Sequence, residues 1–201
     1  MEAVYHRRVL QRALGGRVSP EALETITRAN LEQDSLRGLL HPEYHFDNSL
    51  FDRSLAYMTA QRAAVTAAPS AAAAWVAFGR LSHAAQDFYS HSNYVALWLE
   101  QFPPDRWPPP ATIDGLDPQF LRHARLFTGR IYLPLEALCL VPPLRPLVRR
   151  LLPRDAHAWV NLDSPATGPL FAYSLEAAVQ RTVFEFEQTS FLVTTPKPPV
   201  L

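Results

Sequence analysis

The segment from His83 to Asn93, HAAQDFYSHSN, places His83, Asp87 and His91 at intervals of four residues. Four residues turn an α-helix through about 400°, so the three side chains form one stripe that drifts by roughly 40° per step. Imidazole and carboxylate are ligands that zinc accepts, and a carboxylate between two histidines can bridge two ions. The same stripe could also be a hydrogen-bonded polar seam of a helical bundle. Residues elsewhere favour the metal: His6, His41, His45 and His157 stand at distinctive positions, and Asp34 and Asp47 add carboxylates beside them. Seven histidines accompany a single lysine, Lys197, so their basicity is not what the chain uses. A buried cluster explains them better.

The elements that must position these groups read as helices. Residues 3–14 carry His6 in line with Val9, Leu10, Ala13 and Leu14 and stop at Gly15-Gly16. Ser19 is an N-cap with Pro20 at the first helical position of a helix running to about Asp34. Residues 36–48 read as a loop, with Asp47 as a cap rather than a ligand. Helices follow over 49–67 and 70–102, the second N-capped by Ser70. Five prolines over 103–116 mark an ordered surface excursion. Shorter helices are expected at 118–126, 133–140 and 146–152, and a long amphipathic one at 168–194. Trp75, Trp98 and Trp159 read as core, Trp107 as a rim residue, Cys139 as buried packing, His41 and His123 as peripheral, and Glu176, Glu185 and Glu187 as a solvated face. Strand-like alternation is nearly absent, so the expected fold class is all-α: one zinc-binding helical domain over residues 1–195 and a frayed tail over 196–201.

With 201 residues, 48% of them hydrophobic, the chain can bury one core. Nineteen basic residues balance nineteen acidic ones, and no stretch concentrates cations as duplex nucleic acid would require. A lone cysteine excludes an internal disulfide. Neither a signal peptide nor a membrane span is legible, and the expected location is the cytoplasm. The most apolar tract, 131–148, is broken by prolines and reads as a kinked core segment, with contact to lipid as the alternative.

The run QDFYSHSNY, together with ANLEQD and YHFDN, resembles the zinc-dependent phospholipases C, the S1/P1-type nucleases and in particular the Het-C heterokaryon-incompatibility proteins. That resemblance implies a helical bundle of the phospholipase C/P1 nuclease type holding one to three zinc ions. Asp34, His45, His83 and Asp87 would bind the first ion, His6 and Asp87 a second, and His91 with His157 or Asp163 a third. Asp34 would also take the proton from the attacking water. The family completes its second site with an amino-terminal Trp, whereas Met1 to Tyr5 precede His6 here. The expected function is hydrolysis of phosphoric diesters, with phospholipid headgroups or a membrane surface as partner. The alternative is a regulatory, cell-death protein with structural zinc and a lipase or protease as protein partner. A nuclease is the third reading.

Overall fold

A computed structural model describes residues 1–141 and 143–193; the tail expected over 196–201 lies outside the described residues. The elements are α1 (Ala3–Leu14), α2 (Pro20–Leu31), α3 (Phe51–Thr66), α4 (Ala71–His91), α5 (Tyr94–Leu99), α6 (Pro118–Leu121), α7 (Arg145–Leu151), α8 (His157–Val160) and α9 (Leu170–Val193), joined by short 3-10 turns. Among the described residues there is no strand, only three isolated bridges. The fold class is all-α, as expected from the hydrophobic period.

Helix α4 is the axis, with α2, α3 and α9 packed around it and α1 lying against α2 and α9. Every residue from Leu81 to Ser92 is buried, which is what a helix enclosed on all sides requires. Its start is defined by the Ser70 hydroxyl, which accepts a hydrogen bond from the Ala73 N–H at 3.2 Å. Helix α2 starts in the same way, Ser19 accepting from Ala22, with Pro20 in the first turn. The close approach of α2 to α4 depends on Gly79: a Cβ there would stand 2.4 Å from the Ile26 carbonyl oxygen and 2.8 Å from the Ala29 Cβ. The two backbones therefore meet at van der Waals distance, and Asn30 on α2 comes within reach of α4 side chains. The core around this crossing contains Leu10, Ile26, Phe78, Leu81, Tyr89 and Tyr94.

Several boundaries differ from the sequence reading for physical reasons. The helix expected over 70–102 breaks at Ser92, which is extended, and resumes at Tyr94. The break frees the Asn93 side chain to bridge the Phe127 N–H and the Arg125 carbonyl. Residues 135–140 form 3-10 turns rather than an α-helix, and α6 spans only four residues. The proline-rich excursion is bound to the bundle: Gln180 accepts from the Gly115 N–H and donates to the Ile113 carbonyl, and Tyr89 donates to the Gly115 carbonyl. Glu185, expected on a solvated face, is fully buried and paired with both Arg62 and Arg181. Cys139 is only half-buried. The tract 131–148 is not a core segment: Val148 is buried in a small satellite cluster with Leu152, Ala156 and Ala158, while Leu133, Leu138, Leu144 and Leu147 face outward.

Because Gly79 sets the α2–α4 separation, Gly79→Ala must push the helices apart or distort them. We expect a loss of about 1–3 kcal/mol in chemical denaturation; a variant as stable as the parent would show that the crossing is loose.

Candidate metal centre

His83 and Asp87 project from the enclosed half of α4, one turn apart, and His6 faces them from α1. Asp34 ends the 3-10 turn after α2. His45 and Asp47 come from the turn before α3, where Phe46, Asn48 and Ser49 all have left-handed φ values of 56°, 60° and 54°. Such a conformation is unfavourable for side-chain-bearing residues and persists only where the surroundings impose it. Here residues 128–131 impose it. The Asn48 N–H donates to the Gly129 carbonyl and its side chain accepts from the Ile131 N–H, while Ser49 and Thr128 exchange three hydrogen bonds. The same stretch binds the His91 carbonyl through the Gly129 N–H and the His157 N–H through the Arg130 carbonyl. Gly129 allows this, since a Cβ there would lie 2.6 Å from the His157 Cα.

Asp34, His45, His83 and Asp87 present one ligand atom each, all within 4.8 Å of one another. The His83 Nε2 lies 3.0 Å from both the Asp87 Oδ2 and the His45 Nδ1, and 3.6 Å from the Asp34 Oδ1. The His45 Nδ1 is 3.0 Å from the Asp87 Oδ2 and 3.9 Å from the Asp34 Oδ1. A tetrahedron with bonds of 2.0–2.1 Å has edges of about 3.3 Å, which these separations bracket. His83, Asp87 and His45 are buried, whereas the Asp34 side chain is 34% exposed. The donor set is therefore closed on three sides and open at Asp34.

Asp87 serves two sides at once. Its Oδ2 faces His83 and His45, while its Oδ1 lies 3.2 Å from the His6 Nε2 and 2.7 Å from the Met1 amine. The His6 ring is oriented by its Nδ1, 2.6 Å from the Gln86 Oε1; Gln86 in turn accepts from Asn30 and donates to Thr182. This arrangement points Nε2 inward, the usual way an outer hydrogen bond presets a ligating imidazole. The His6 Nε2, His45 Nε2 and His83 Nδ1 are buried without hydrogen-bond partners. An unpaired polar atom in a dry interior is costly, and a cation between His6 and Asp87 would satisfy the first of them.

A second group unites Asp47, His91 and His157. The Asp47 Oδ1 is buried and unpaired, 3.2 Å from the His91 Nδ1 and 3.9 Å from the His157 Nε2. Asp47 thus turns inward and makes no side-chain cap, contrary to the sequence reading. Asp163 stands on the other side of His91, 3.1 Å from Nε2 and 3.0 Å from the Met1 amine, and is not part of the group. The His91 Nδ1 donates to the His45 carbonyl at 2.9 Å. His91 is thereby committed to hydrogen bonds on both ring nitrogens, and the first group is the better metal site. His41 and His123 lie outside both groups.

The charges are strongly coupled. Burial alone would raise the Asp87 carboxyl, but the Met1 ammonium and the imidazoles of His83, His91 and His6 outweigh it and hold it well below the usual range. Burial pushes His83 down to about 3 against the pull of Asp87, so its imidazole is neutral and able to ligate at neutral pH. His91 resists its own burial and stays well above the ordinary value because Asp87, Asp47 and Asp163 surround it. The Met1 amine, lowered by burial, is carried by Asp163 and Asp87 up to about 11. Burial, with the charge of Asp87, raises the Asp34 carboxyl.

Fold and centre together define a helical domain built around an internal histidine–aspartate cluster with the makings of a divalent-metal site. The sequence profile of the VWA7 N-terminal domain matches residues 2–114, more than half of the chain, and the chain belongs to that family. No curated protein and no solved structure matches it significantly. The match corrects the resemblance to the phospholipases C, S1/P1 nucleases and Het-C proteins, which are different families. The physical reason is plain: histidine and aspartate at helical spacing specify a stripe able to bind metal, and more than one family of helical proteins can present such a stripe. The match includes His6, Asp34, His45, Asp47, His83, Asp87 and His91, and leaves His157 and Asp163 outside it.

Asp47, Gln86, Asn30 and Gly129 were not singled out as site residues from sequence. Gln86 and Asn30 carried a faint signal, as polar residues within apolar helical stretches; Asp47 stands out in the sequence as a carboxylate beside the histidines but reads as a cap, and Gly129 carried none.

Two outcomes follow for protein stripped with EDTA. Asp87→Asn leaves His91 without its main counter-charge and the Met1 ammonium with Asp163 alone, and should cost about 3–5 kcal/mol in denaturant unfolding. Between the unfolded histidine value of about 6.5 and the folded His83 value of about 3, the unfolded chain binds more protons. Stability therefore falls as the pH drops through that window, and His83→Gln should flatten this acid limb. His91 contributes with opposite sign above that window. An unchanged slope in His83→Gln would place the acid sensitivity elsewhere.

Proposed function

We propose that the chain is a zinc-dependent hydrolase of phosphoric diesters, acting at the Asp34, His45, His83 and Asp87 cluster. The observation that carries this reading is the donor set itself: two imidazole nitrogens and two carboxylate oxygens at tetrahedral-edge spacing, three buried and one open to solvent. The set suits zinc because imidazole with carboxylate matches a borderline-soft ion better than the all-oxygen shell of calcium or magnesium.

When bound, zinc would lower the pKa of a ligating water towards neutrality and polarise a phosphoryl oxygen. The rest is the work of side chains. His83 and His45 hold their nitrogens towards one point, and His83 stays neutral, so its imidazole can ligate a metal in place of its 3.0 Å contacts to Asp87 and His45. Asp87 supplies negative charge to both the first cluster and His6. Asp34, open to solvent and raised in pKa, is placed to accept a proton from water and release it to bulk. His6, whose Nε2 has no partner, offers with the Asp87 Oδ1 a place for a second cation and its phosphoryl oxygen. His157, in the neighbouring group with Asp47 and His91, is the side chain that would donate a hydrogen bond to the leaving side of the ester.

The depth of the cluster favours one further reading, in which the zinc is structural and the protein works through a protein partner. The two readings separate in one assay. Zinc-loaded protein should hydrolyse bis-p-nitrophenyl phosphate, His83→Ala should abolish turnover and zinc retention together, and Asp34→Asn should lower kcat by about 10²-fold or more with zinc retained. Stoichiometric zinc without turnover on that ester, short-chain phosphatidylcholine or single-stranded nucleic acid would leave the structural reading.

A further inference from the structure

Residues 131–141 and 143–154 form a surface that the proposed centre does not use. Helix α7 carries two apolar stripes where the core needs one. Val148 and Leu152 are buried, whereas Leu144, Leu147 and Leu151, spaced i, i+3 and i+7, face outward, Leu147 and Leu151 being 60% and 65% exposed. Leu133, Leu138 and Val141, on and beside the 3-10 turns of residues 135–140 that pack against α7, extend the exposed apolar face, with Leu133 at 72%. Scattered exposed leucines are ordinary, but six within nineteen residues of sequence are a patch.

The patch is bordered by cations without counter-ions. Arg145, Arg149, Arg150 and Arg154 form no ion pair among the described residues, and the Arg149 Nε is buried without a hydrogen-bond partner. Arg149 and Arg154 each lie 4.1 Å from the Trp159 ring centroid. Asp155, the nearest carboxylate in sequence, is paired with Arg130 and accepts from the Tyr132 hydroxyl, and Glu136 is committed to the N–H groups of Tyr132 and Ala158. Apolar side chains beside uncompensated arginines and an indole are the composition of a segment that lies in the plane of a membrane interface. The segment cannot span one: no helix among the described residues is long and apolar enough. A protein partner would have to supply both acidic groups and an apolar surface; an anionic bilayer supplies both at once.

We infer that residues 131–154 dock the protein peripherally on an anionic phospholipid bilayer, inserting Leu144, Leu147 and Leu151 while the four arginines meet lipid phosphates. A cleft of about 540 Å³ beside this face is lined by Arg145 and Cys139 together with His157 of the second histidine–aspartate group and Asp163. A headgroup held by Arg145 would therefore share a cleft with His157. Docking stands on the surface alone; the choice of a lipid phosphodiester as substrate rests on the hydrolase reading above.

The test is sedimentation of the full chain with vesicles of phosphatidylcholine, with and without about one-third phosphatidylserine. Binding should require the anionic lipid and weaken as salt rises. Arg149→Gln combined with Arg150→Gln should weaken it roughly thirtyfold, and Leu147→Glu with Leu151→Glu should abolish it, with circular dichroism confirming that both variants fold. Docking should persist after EDTA treatment, so vesicle binding without phosphodiester turnover would sink the hydrolase reading and leave the docking face intact. No binding to anionic vesicles, or binding indifferent to both pairs of substitutions, would overturn the inference. So would light scattering that shows self-association lost in Leu147→Glu with Leu151→Glu, since the face would then join copies of the chain.

Discussion

The structure depends on one buried carboxylate. Asp87 is fully enclosed, yet four positively charged or ligating groups converge on it: His83 and His45 on one oxygen, His6 and the Met1 amine on the other. An isolated carboxylate could not remain ionised there; the surrounding groups make ionisation favourable. Four chain segments are thereby tied to a single point: the first residues with α1, the turn before α3, helix α4, and through Met1 and His91 the stretch around Asp163. The geometry that stabilises the charge is the same geometry that a divalent cation would use. Charge balance and metal binding are two descriptions of one constraint.

That constraint is transmitted outward by backbone rather than by side-chain packing alone. Residues 127–131 run past the end of α4 and hydrogen-bond in turn to the left-handed turn at 46–49, to His91 and to His157. Moving this stretch would displace His45, Asp47 and His157 together. Gly129 and Gly79 act at opposite sides of the same arrangement, one admitting His157 and the other admitting α2 with Asn30, which orients Gln86 and so His6. Small residues at two crossings thus determine where imidazoles three helices apart will point.

The family relationship and the site chemistry bear on different questions. Membership among the VWA7 N-terminal domains says how the chain is related and covers the first metal group completely. It carries no activity with it, and function must be argued from the site. What the site offers is a charge-coupled interior with buried imidazole nitrogens left unpartnered and one solvent-facing acid, and beside it a surface on which apolar and cationic groups stand uncovered. Stability and function would then occupy different layers of the molecule, joined by the cleft at His157.

Local spacing was legible from sequence because helical geometry operates within a few residues. The stripe of His83, Asp87 and His91, the inward face of His6 on α1, the Ser19 and Ser70 caps, and the all-helical class all follow from period and capping. The sequence by itself therefore determined that this chain forms helices presenting histidine and aspartate to an interior. It did not determine lineage, for a short ligand stripe is available to more than one family. Nor could it place Asp47, which faces inward only because residues 128–131 hold three of its neighbours in left-handed conformations. It could not tell that Glu185 is buried between two arginines or that the leucines of α7 are exposed. Those outcomes rest on which surfaces meet across dozens of residues, and tertiary packing alone decides that.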